Sequence, residues 1–486
     1  MADAFGFSTP PVDPAAGPLS RFRLLSRRPL TRRTRPPRLE VGVPFVGNVL
    51  ALARHRLWVM EQAASVRGGI CDLPVNGRSL IVVSSPDLVH EVLVARADQF
   101  VKGTTYRFLR PVVGDGLLTS EHDQHRRQRK LMAPAFAHKR IATYADTMAS
   151  YAERAQARWP EGGEVDVAAE MMRLTLAIAS KTLLDADVEG DSGAVGDAVS
   201  VLMRAVNARI STPISFLLPA ASKNRRALDA MSTLDDVILR IIRERRASGL
   251  RTDDLLSMLL SAQEEGSGRT MTDRQVRDEC MTIFLAGHET TANALSWSLY
   301  LLARHPDAYA RLREEARTVL GGRPPGAEDL PRLGFALQVF KEALRLYPPA
   351  YLLSRMAEND VEIGGHRIAR GTDVIVNIYG MQRRPEYFAD AEAFRPERFE
   401  GAAEQQIPRG AYVPFGAGAR ICIGNNFALM EGQLVLATLA QRVDLSSLTS
   451  EPIAPEPLVT LRPLRAVRMR VRRSGNVPLI RPPAAD

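Results

Sequence analysis

The chain has 486 residues, of which 45% are apolar and 24% are charged. These fractions are ordinary for a soluble globular protein and exclude a polytopic membrane protein. Three widely spaced cysteines, Cys71, Cys280 and Cys422, are a poor disulfide framework and fit a reducing, cytoplasmic compartment. No apolar run approaches the roughly 20 residues that span a bilayer, and the first residues lack the apolar core of a signal peptide.

The net charge is +9, and most of the basic residues are arginine. An N-terminal group of arginines occurs with few acids: Arg21, Arg23, Arg27, Arg28, Arg32, Arg33, Arg35 and Arg38. Elsewhere the arginines are mixed with acids and there is no base-reading motif, so we predict no nucleic-acid binding. We expect residues 1–40 to be a flexible Pro/Arg-rich extension, with a transit peptide as the alternative, and residues 41–486 to form one domain.

The first elements are predicted to be a hairpin and a helix. Residues 70–75 and 79–83 have the composition of strands and flank an Asn-Gly dipeptide (76–77), which suits a type I′ turn. A helix is predicted over 86–94, since its first residue is a proline, which is tolerated at that position. From about 124 to 320, apolar residues recur at spacings of three and four, which predicts mostly helices.

An unusually long apolar pattern over 272–303 predicts one helix, which Thr272 and Asp273 would cap. Later predicted segments are a hairpin at 361–368, a strand at 374–379, a helix after residue 424 and short strands over 459–471. We therefore predict a mainly α fold with small β sheets.

The loop over 414–424 combines three glycines and one cysteine directly before a predicted helix. Glycines let a loop lie flat against a planar ligand, and the start of the helix would favour the thiolate of Cys422. Phe415 would shield the sulfur from water, and Arg420 would pair with an anionic group of the ligand. A buried structural cysteine is the usual alternative for a lone cysteine.

The full spacing of this loop favours the ligand. Phe415, Gly418, Arg420, Cys422 and Gly424 match every fixed position of the F-x-x-G-x-R-x-C-x-G signature, and in this the chain resembles the cytochrome P450 family. The resemblance implies haem b with Cys422 as the axial thiolate ligand of the iron. It also implies the family fold, a triangular helical prism with the haem between the long oxygen-binding helix and the helix after the cysteine loop.

The long predicted helix contains the sequence Ala-Gly-His-Glu-Thr-Thr (286–291). A glycine and an acid inside an apolar helix both cost energy, and a kink with back-bonded threonines is the structural alternative. The segment is similar to the family's A-G-x-[DE]-T-[TS] motif. The resemblance implies that Ala286 and Gly287 lie against the haem, that Thr290 hydrogen-bonds dioxygen and that Glu289 relays protons.

Glu342 and Arg345 are three residues apart on one predicted helix face, where a weak local ion pair is the ordinary interpretation. The resemblance adds Arg398, in a second family signature, and implies a buried charge network that braces the haem-binding core. These three residues are therefore expected to be structural.

His125 and Arg129 are four residues apart on another predicted helix, an arrangement that suits a pair of carboxylates. The resemblance implies that both bind the haem propionates, together with Arg355 and Arg420. His125 departs from the tryptophan that the family commonly has there. A solvated basic helix face is the alternative, and it is the interpretation kept for the neighbouring arginines.

The substrate pocket is expected to be mostly apolar. By position, Phe284, Tyr351, Leu352, Leu353 and Leu464 are predicted to line it. Such residues favour a hydrophobic substrate such as a terpenoid, polyketide, steroid or fatty acid, and the sequence does not choose among these. His288 stands at a variable position of the family motif, so we expect packing or a surface position and not metal ligation.

These features predict a haem-thiolate monooxygenase of secondary or lipid metabolism that hydroxylates or epoxidises its substrate with O2. No flavin or dinucleotide motif follows the cysteine loop, so electrons from NAD(P)H are expected to arrive through separate partner proteins. The resemblance implies that these are a ferredoxin or flavodoxin and its reductase. We expect a monomer. A haem-thiolate peroxygenase or isomerase, and a non-catalytic haem sensor, are the alternatives; the intact Glu289-Thr290 pair argues against the sensor.

Overall fold

A computed structural model describes residues 35–42, 48–75, 77–211, 225–250, 252–262 and 270–474. Most of the predicted extension (1–40) and the first residue of the predicted turn at 76–77 lie outside these ranges. The described residues form many helices and a few short strands, which confirms the predicted fold class.

Sixteen α-helices are found in the described ranges. They are α1 (Val49–Ala64), α2 (Pro86–His90), α3 (Arg110–Val113), α4 (His122–Met132), α5 (His138–Ala142), α6 (Ala145–Ala157), α7 (Val167–Leu184), α8 (Ser192–Ser211), α9 (Arg225–Ser248), α10 (Leu255–Ser261), α11 (Asp273–Arg304), α12 (Pro306–Leu320), α13 (Gly334–Leu346), α14 (Ile378–Met381), α15 (Gly401–Gln405) and α16 (Asn425–Arg442). None of these helices is long and apolar enough to cross a membrane.

The strands are short. They are β1 (Ile70–Val75), β2 (Arg78–Val83), β3 (Phe100–Lys102), β4 (Glu164–Asp166), β5 (Leu352–Ala357), β6 (Val361–Ile363), β7 (His366–Ile368), β8 (Asp373–Asn377), β9 (Val443–Ser447), β10 (Pro455–Pro457), β11 (Leu461–Pro463) and β12 (Arg468–Arg473). The largest sheet has the order β1-β2-β8-β5-β3, in which β2 and β8 are parallel. The smaller sheets are β4-β12-β9, β6-β7 and β10-β11.

Both predicted hairpins are confirmed, β1-β2 and β6-β7. The strand predicted at 374–379 ends earlier, at Asn377, because the side chain of this residue accepts the backbone N–H of Gly380 and starts α14. Strands β3, β4, β5, β9 and β10 had not been predicted. They are three to six residues long, and such short segments carry little periodicity.

The long helix α11 runs through the middle of the molecule. It begins in a capping box in which Thr272 accepts the N–H of Gln275 and the Gln275 side chain accepts the N–H of Thr272. Most of its residues are buried, because neighbours pack around it, among them α7, α13 and α16. The predicted helix over 272–303 is thereby confirmed within one residue at each end.

The segment predicted as one helix over 86–94 is an α-helix, α2, followed by a π-helical turn at Glu91–Ala95. This turn contacts the loop that contains Cys422. After that loop, α16 starts at Asn425 and packs against α6, α11, α12 and α13. The fold therefore fixes the cysteine loop between the π turn and the start of a buried helix.

Candidate active site

The cysteine loop is held by its own backbone and by the π turn. The N–H of Cys422 donates to the carbonyl of Phe415 at 2.9 Å. Gly418 has a φ of 71°, in the left-handed region that favours glycine. A Cβ at Gly418 would collide with the carbonyl of Leu93, so the π turn and this loop approach each other backbone to backbone. The fixed glycine of the motif at position 418 is thus required sterically.

The surroundings of Cys422 have opposing effects on the pKa of its thiol. Burial raises the pKa of the thiol above its ordinary value, whereas the N–H of Gly424 and the charge of Arg129 lower it by less. The start of α16 therefore does not by itself produce the thiolate that the sequence predicted. A metal cation bonded to the sulfur would remove the proton, because thiolate is the form that binds metals. The side chain is also accessible, although the loop lies among packed elements.

Beside the loop the structure gathers basic side chains from four parts of the chain, here called the cation cluster: Lys102, His125, Arg129, Arg355 and Arg420. Burial, followed by the neighbouring cations, lowers the pKa of His125 to about 3. Burial and the charge of Arg420 lower the pKa of Lys102 to about 7. Several cations forced together in a buried place favour an anionic partner such as a pair of carboxylates.

The polar contacts of this cation cluster are mainly to the backbone. Arg129 Nη1 donates to the carbonyl of Ile421 at 2.7 Å, which ties α4 to the cysteine loop. Lys102 Nζ donates to two loop carbonyls at 2.9 and 3.0 Å. Arg420 forms an ion pair with Glu121. Lys102 was not predicted from the sequence, because it is not at a helical spacing from the other basic residues of the cluster.

The middle of α11 has one accessible face. Ala286 is exposed and Thr290 is half-buried, although most other residues of the helix are buried. The hydroxyl of Thr290 donates to the carbonyl of Ala286 at 2.8 Å, and that of Thr291 donates to Gly287 at 3.2 Å. Both threonine hydroxyls are thus bonded to carbonyls of the preceding helical turn, which is the arrangement that the structural alternative for this motif predicted. The oxygen of Thr290 can still accept a hydrogen bond on the accessible face.

Glu289 points to a different partner. Its side chain is buried, and Oε1 accepts a hydrogen bond from the hydroxyl of Thr460 at 2.6 Å. Asn293 donates to that same hydroxyl at 3.4 Å. Burial raises the pKa of Glu289, and Thr460 and Arg462 oppose this rise. Thr460 was not predicted from the sequence, because it lies 171 residues from Glu289.

His288 is part of the core. Its Nδ1 lies 2.6 Å from the carbonyl of Phe284, and its own carbonyl accepts a hydrogen bond from Thr175 of α7. Burial lowers the pKa of His288 to about 4. Phe284 is only 1% exposed, and its ring packs at a tilt against the ring of His288. Phe284 therefore lies in the core and not on an accessible pocket surface.

Two buried carboxyls, one on α16 and one on α11, were also missed. Glu431 of α16 is fully buried, and burial raises its pKa well above the ordinary value, partly opposed by Thr291. Glu279 accepts the N–H of Leu117 at 2.9 Å, and burial raises its pKa to about 7. Each lies in a helix whose sequence gives no indication that its acid faces inward.

Glu342, Arg345 and Arg398 form one network. Glu342 and Arg345 are both fully buried, and their side chains meet at 2.7 Å. Arg398 reaches Glu342 at 3.3 Å, and Arg345 also donates to the carbonyls of Gln382 and Ala391. The network therefore joins α13 to the segment before the cysteine loop.

The predicted pocket residues do not all come together. Leu352 and Leu353 are half-buried on β5. Tyr351 is buried, and its hydroxyl donates to the carbonyl of Leu458 at 2.9 Å. Leu464 is 57% exposed after β11, so the structure does not place it in an enclosed pocket with the others.

These residues fit a haem. Cys422 offers an accessible sulfur, the cation cluster offers donors for two propionates, and Ala286 offers a small side chain on the accessible face of α11. The described residues contain no group of three or more His, Cys, Asp or Glu that would suit a metal ion held by protein ligands alone.

Residues 36–467 match the family model for Cytochrome P450, and the chain belongs to that family. It is 36% identical over 454 residues to cyclooctatin synthase of Streptomyces melanosporofaciens, covering 92% of this chain and 98% of that protein. It is 33% identical to pentalenene oxygenase of Streptomyces avermitilis, covering 88% and 96%. A second Streptomyces melanosporofaciens protein, cyclooctat-9-en-7-ol 5-monooxygenase, is 33% identical over 85% of this chain and 90% of its own length.

Membership of the family confirms the predicted class. The protein is a haem-thiolate monooxygenase of secondary metabolism, which uses O2 and takes electrons from NAD(P)H through redox partners.

Proposed function

We propose that Cys422 is the axial ligand of the haem iron and that the enzyme oxygenates a hydrophobic, terpenoid-type substrate. The ligand assignment is carried by the position of Cys422. This residue is exposed in a loop where Gly418 has no room for a side chain, beside the cation cluster, whereas Cys71 and Cys280 are buried. Gly418 and Gly424 lie in this loop, and the carbonyl of Phe415 accepts the N–H of Cys422.

When bound, the haem supplies oxygen activation, which an axial thiolate favours. Two sets of residues would hold the haem. Cys422 would bind the iron, and His125, Arg129, Arg355 and Arg420 would bind the carboxylates of the haem. Lys102 adds a further basic group to this cluster, and it fixes the loop before α4 through two carbonyls.

Protons are handled by two adjacent side chains of α11. Glu289 holds a proton readily, because burial raises its pKa. Thr290 presents its oxygen on the accessible face of the helix beside Ala286 and Gly287. We infer that Glu289 holds a proton for delivery to the site, and that the oxygen of Thr290 accepts a hydrogen bond on the accessible face.

The terpenoid assignment rests on the similar proteins. The names of two of them refer to pentalenene and to cyclooctat-9-en-7-ol as the compounds oxygenated. The apolar residues around Leu352 and Leu353 suit such a compound. Oxygen is inserted by hydroxylation or epoxidation.

The electron donor is proposed to be a ferredoxin or flavodoxin, served by its reductase. Exposed basic residues of α4, Arg126 and Arg127, lie on the helix whose Arg129 is bonded to the cysteine loop. An acidic donor would bind this face and reach the site from the sulfur side. We further propose a monomer in the cytoplasm, with residues 41–486 as one domain preceded by the extension 1–40.

The ligand assignment is tested by replacing Cys422 with alanine and recording the absorption of the reduced, carbon-monoxide-treated protein. We expect the variant to lose the band typical of thiolate-ligated haem. Cys280→Ala is the matched control, since Cys280 is buried in the core and should leave the band unchanged. A thiolate-type band that persists in Cys422→Ala would refute the assignment.

A further inference from the structure

Glu431 of α16 is a buried acid that the oxygenase function leaves without a role. Its side chain is 0% exposed, and within the described part of the chain neither carboxyl oxygen makes a hydrogen bond of ordinary geometry. A buried polar group without a partner costs free energy, and an ionised one costs more. Such a residue is expected to keep its proton and to direct it towards an acceptor.

Close packing of α16 fixes the position of Glu431. At the next residue, Gly432, a Cβ would lie 2.6 Å from the ring of Phe340, so α13 and α16 approach closely at this level. Helix α16 also contacts α11. Thr291 of α11 is the polar side chain that acts on the pKa of Glu431, and no charged side chain among the described residues does so. The acceptor for a proton on Glu431 is therefore to be sought at Thr291.

The hydroxyl of Thr291 has one proton, and that proton is already used. It is donated to the carbonyl of Gly287 at 3.2 Å, one turn earlier in α11. Thr291 cannot donate the same proton to an ionised Glu431, but its oxygen can still accept a hydrogen bond. The arrangement therefore fits a protonated Glu431 that donates to Thr291. The balance of effects on the pKa of Glu431 agrees, because burial raises this pKa well above its ordinary value and Thr291 opposes the rise only in part.

We propose that Glu431 is a positioning residue of the oxygenase, which holds the backbone of α11 in place at the oxygen site. Its carboxyl donates to Thr291, and Thr291 donates to the carbonyl of Gly287. Hydrogen bonds in such a chain reinforce one another. Ala286, Gly287 and Thr290 lie on the accessible face of α11, and the chain supports this face from the buried side of the helix. The inference rests on the proposed role of that face in the oxygenase.

The first experiment is an infrared difference spectrum between the full-length holoenzyme and its Glu431→Gln variant. At neutral pH an ordinary glutamate is ionised. We expect the parent to show the carbonyl stretch of a protonated carboxylic acid, and Glu431→Gln to lack it. The variant keeps an N–H donor for Thr291, so it should fold like the parent. This measurement does not depend on turnover, and absence of the band from the difference spectrum would overturn the proposal.

The second experiment uses carbon monoxide as a probe of the oxygen site. The infrared C–O stretch of the reduced, carbon-monoxide-treated holoenzyme reports the surroundings of the bound gas. In Glu431→Leu, which removes the donor and leaves no buried charge, the stretch should shift or split, because the carbonyl of Gly287 is no longer held in one position. Glu431→Gln should restore the parent stretch, since its amide still donates.

Gln433→Leu is the matched control for the loss of a buried polar side chain from α16. The side chain of Gln433 donates to the carbonyls of Leu330 and Leu333, which lie outside α11. This variant should lose stability without changing the C–O stretch. A stretch that changes equally in Gln433→Leu and Glu431→Leu would show a general packing effect and would overturn the positioning role.

Thr290→Val separates this inference from the proposed function. It alters the accessible face itself, so it should change the C–O stretch whatever Glu431 does. A change in Thr290→Val but none in Glu431→Leu would overturn the role of Glu431 alone, whereas no change in either would overturn the oxygen site at this face as well. Should Glu431→Leu fail to fold, Thr291→Val removes the acceptor instead and is expected to change the stretch in the same way; an unchanged stretch there would equally overturn the proposal.

Discussion

Thr460 and Glu289 illustrate how one contact changes the interpretation of a motif residue. The sequence places Glu289 next to Thr290, but in the structure its carboxyl is held by a hydroxyl from the turn before β11. Arg462, on that same hairpin, also stabilises the charged form of Glu289. Arg462 is itself paired with Glu456 across this hairpin, so the hairpin places charged and polar groups near Glu289.

Replacing Thr460 with valine is expected to raise the pKa of Glu289 further, because a hydrogen bond that lowers it is lost. With proton delivery disturbed, more of the NADH consumed should end as hydrogen peroxide, by several-fold. The measurement is the ratio of peroxide to oxygenated product across pH. Thr460→Ser keeps the hydroxyl and should restore the parent ratio; an unchanged ratio in the valine variant would show that Thr460 does not position Glu289.

His288 predicts an acid-side loss of stability. Its pKa is lowered from 6.5 to about 4 in the folded state, so between these values the unfolded chain binds the proton more readily. The free energy of unfolding that His288 contributes is present above pH 6.5 and is lost as the pH falls towards 4, by about 3 kcal/mol. Urea unfolding at several pH values tests this. His288→Gln should show a shallower slope over that range, and an equal slope would contradict the prediction.

At the scale of elements, the network of Glu342, Arg345 and Arg398 connects parts of the chain that are distant in sequence. It belongs to α13, to the segment around residue 398 and, through carbonyls, to the region after α14. Because Glu342 and Arg345 are fully buried, each depends on the other for its charge partner.

Glu342→Gln should therefore destabilise the protein by about 3–5 kcal/mol, because Arg345 is left as a buried charge without its carboxylate. Chemical denaturation measures the loss, and retained haem should fall with it. Glu314→Gln is the control, since Glu314 pairs with Arg317 on the exposed side of α12 and should change stability little. Similar small effects in both variants would argue against a bracing role.

At the scale of the whole molecule, the charge of +9 is unevenly used. One set of cations is buried at the haem edge, a second lies on the exposed side of α4, and a third precedes α1 in sequence. We assign the first set to the cofactor and the second to the redox partner.

Arg127→Glu is expected to slow electron transfer from an acidic ferredoxin about tenfold at low salt, because it reverses a charge on the docking face. Stopped-flow reduction at increasing ionic strength should show the two proteins converging as salt screens the attraction. Arg317→Glu, on α12, serves as the control. A rate that does not depend on salt in the parent would exclude electrostatic docking at this face.

The sequence by itself determined the family, the fold class, the long helix with its cap, both hairpins and the cysteine loop. These features follow from local sequence spacing. A motif such as residues 415–424, for example, holds its glycines and its cysteine within one short segment of the chain. The expected roles of Cys422, Glu289 and Thr290 also come from such spacing, and they stay predictions until they are tested.

Only the tertiary structure decided which distant side chains meet. Lys102 joins His125, Thr460 binds Glu289, and Glu431 is buried against α11 without any local pattern that would indicate it. Conversely, Leu464 is exposed and Phe284 lies in the core, although their positions in the chain suggested a pocket. Burial and long-range hydrogen bonds depend on how helices pack against each other, and residue periodicity reports which face of an element is apolar but not which partner covers it.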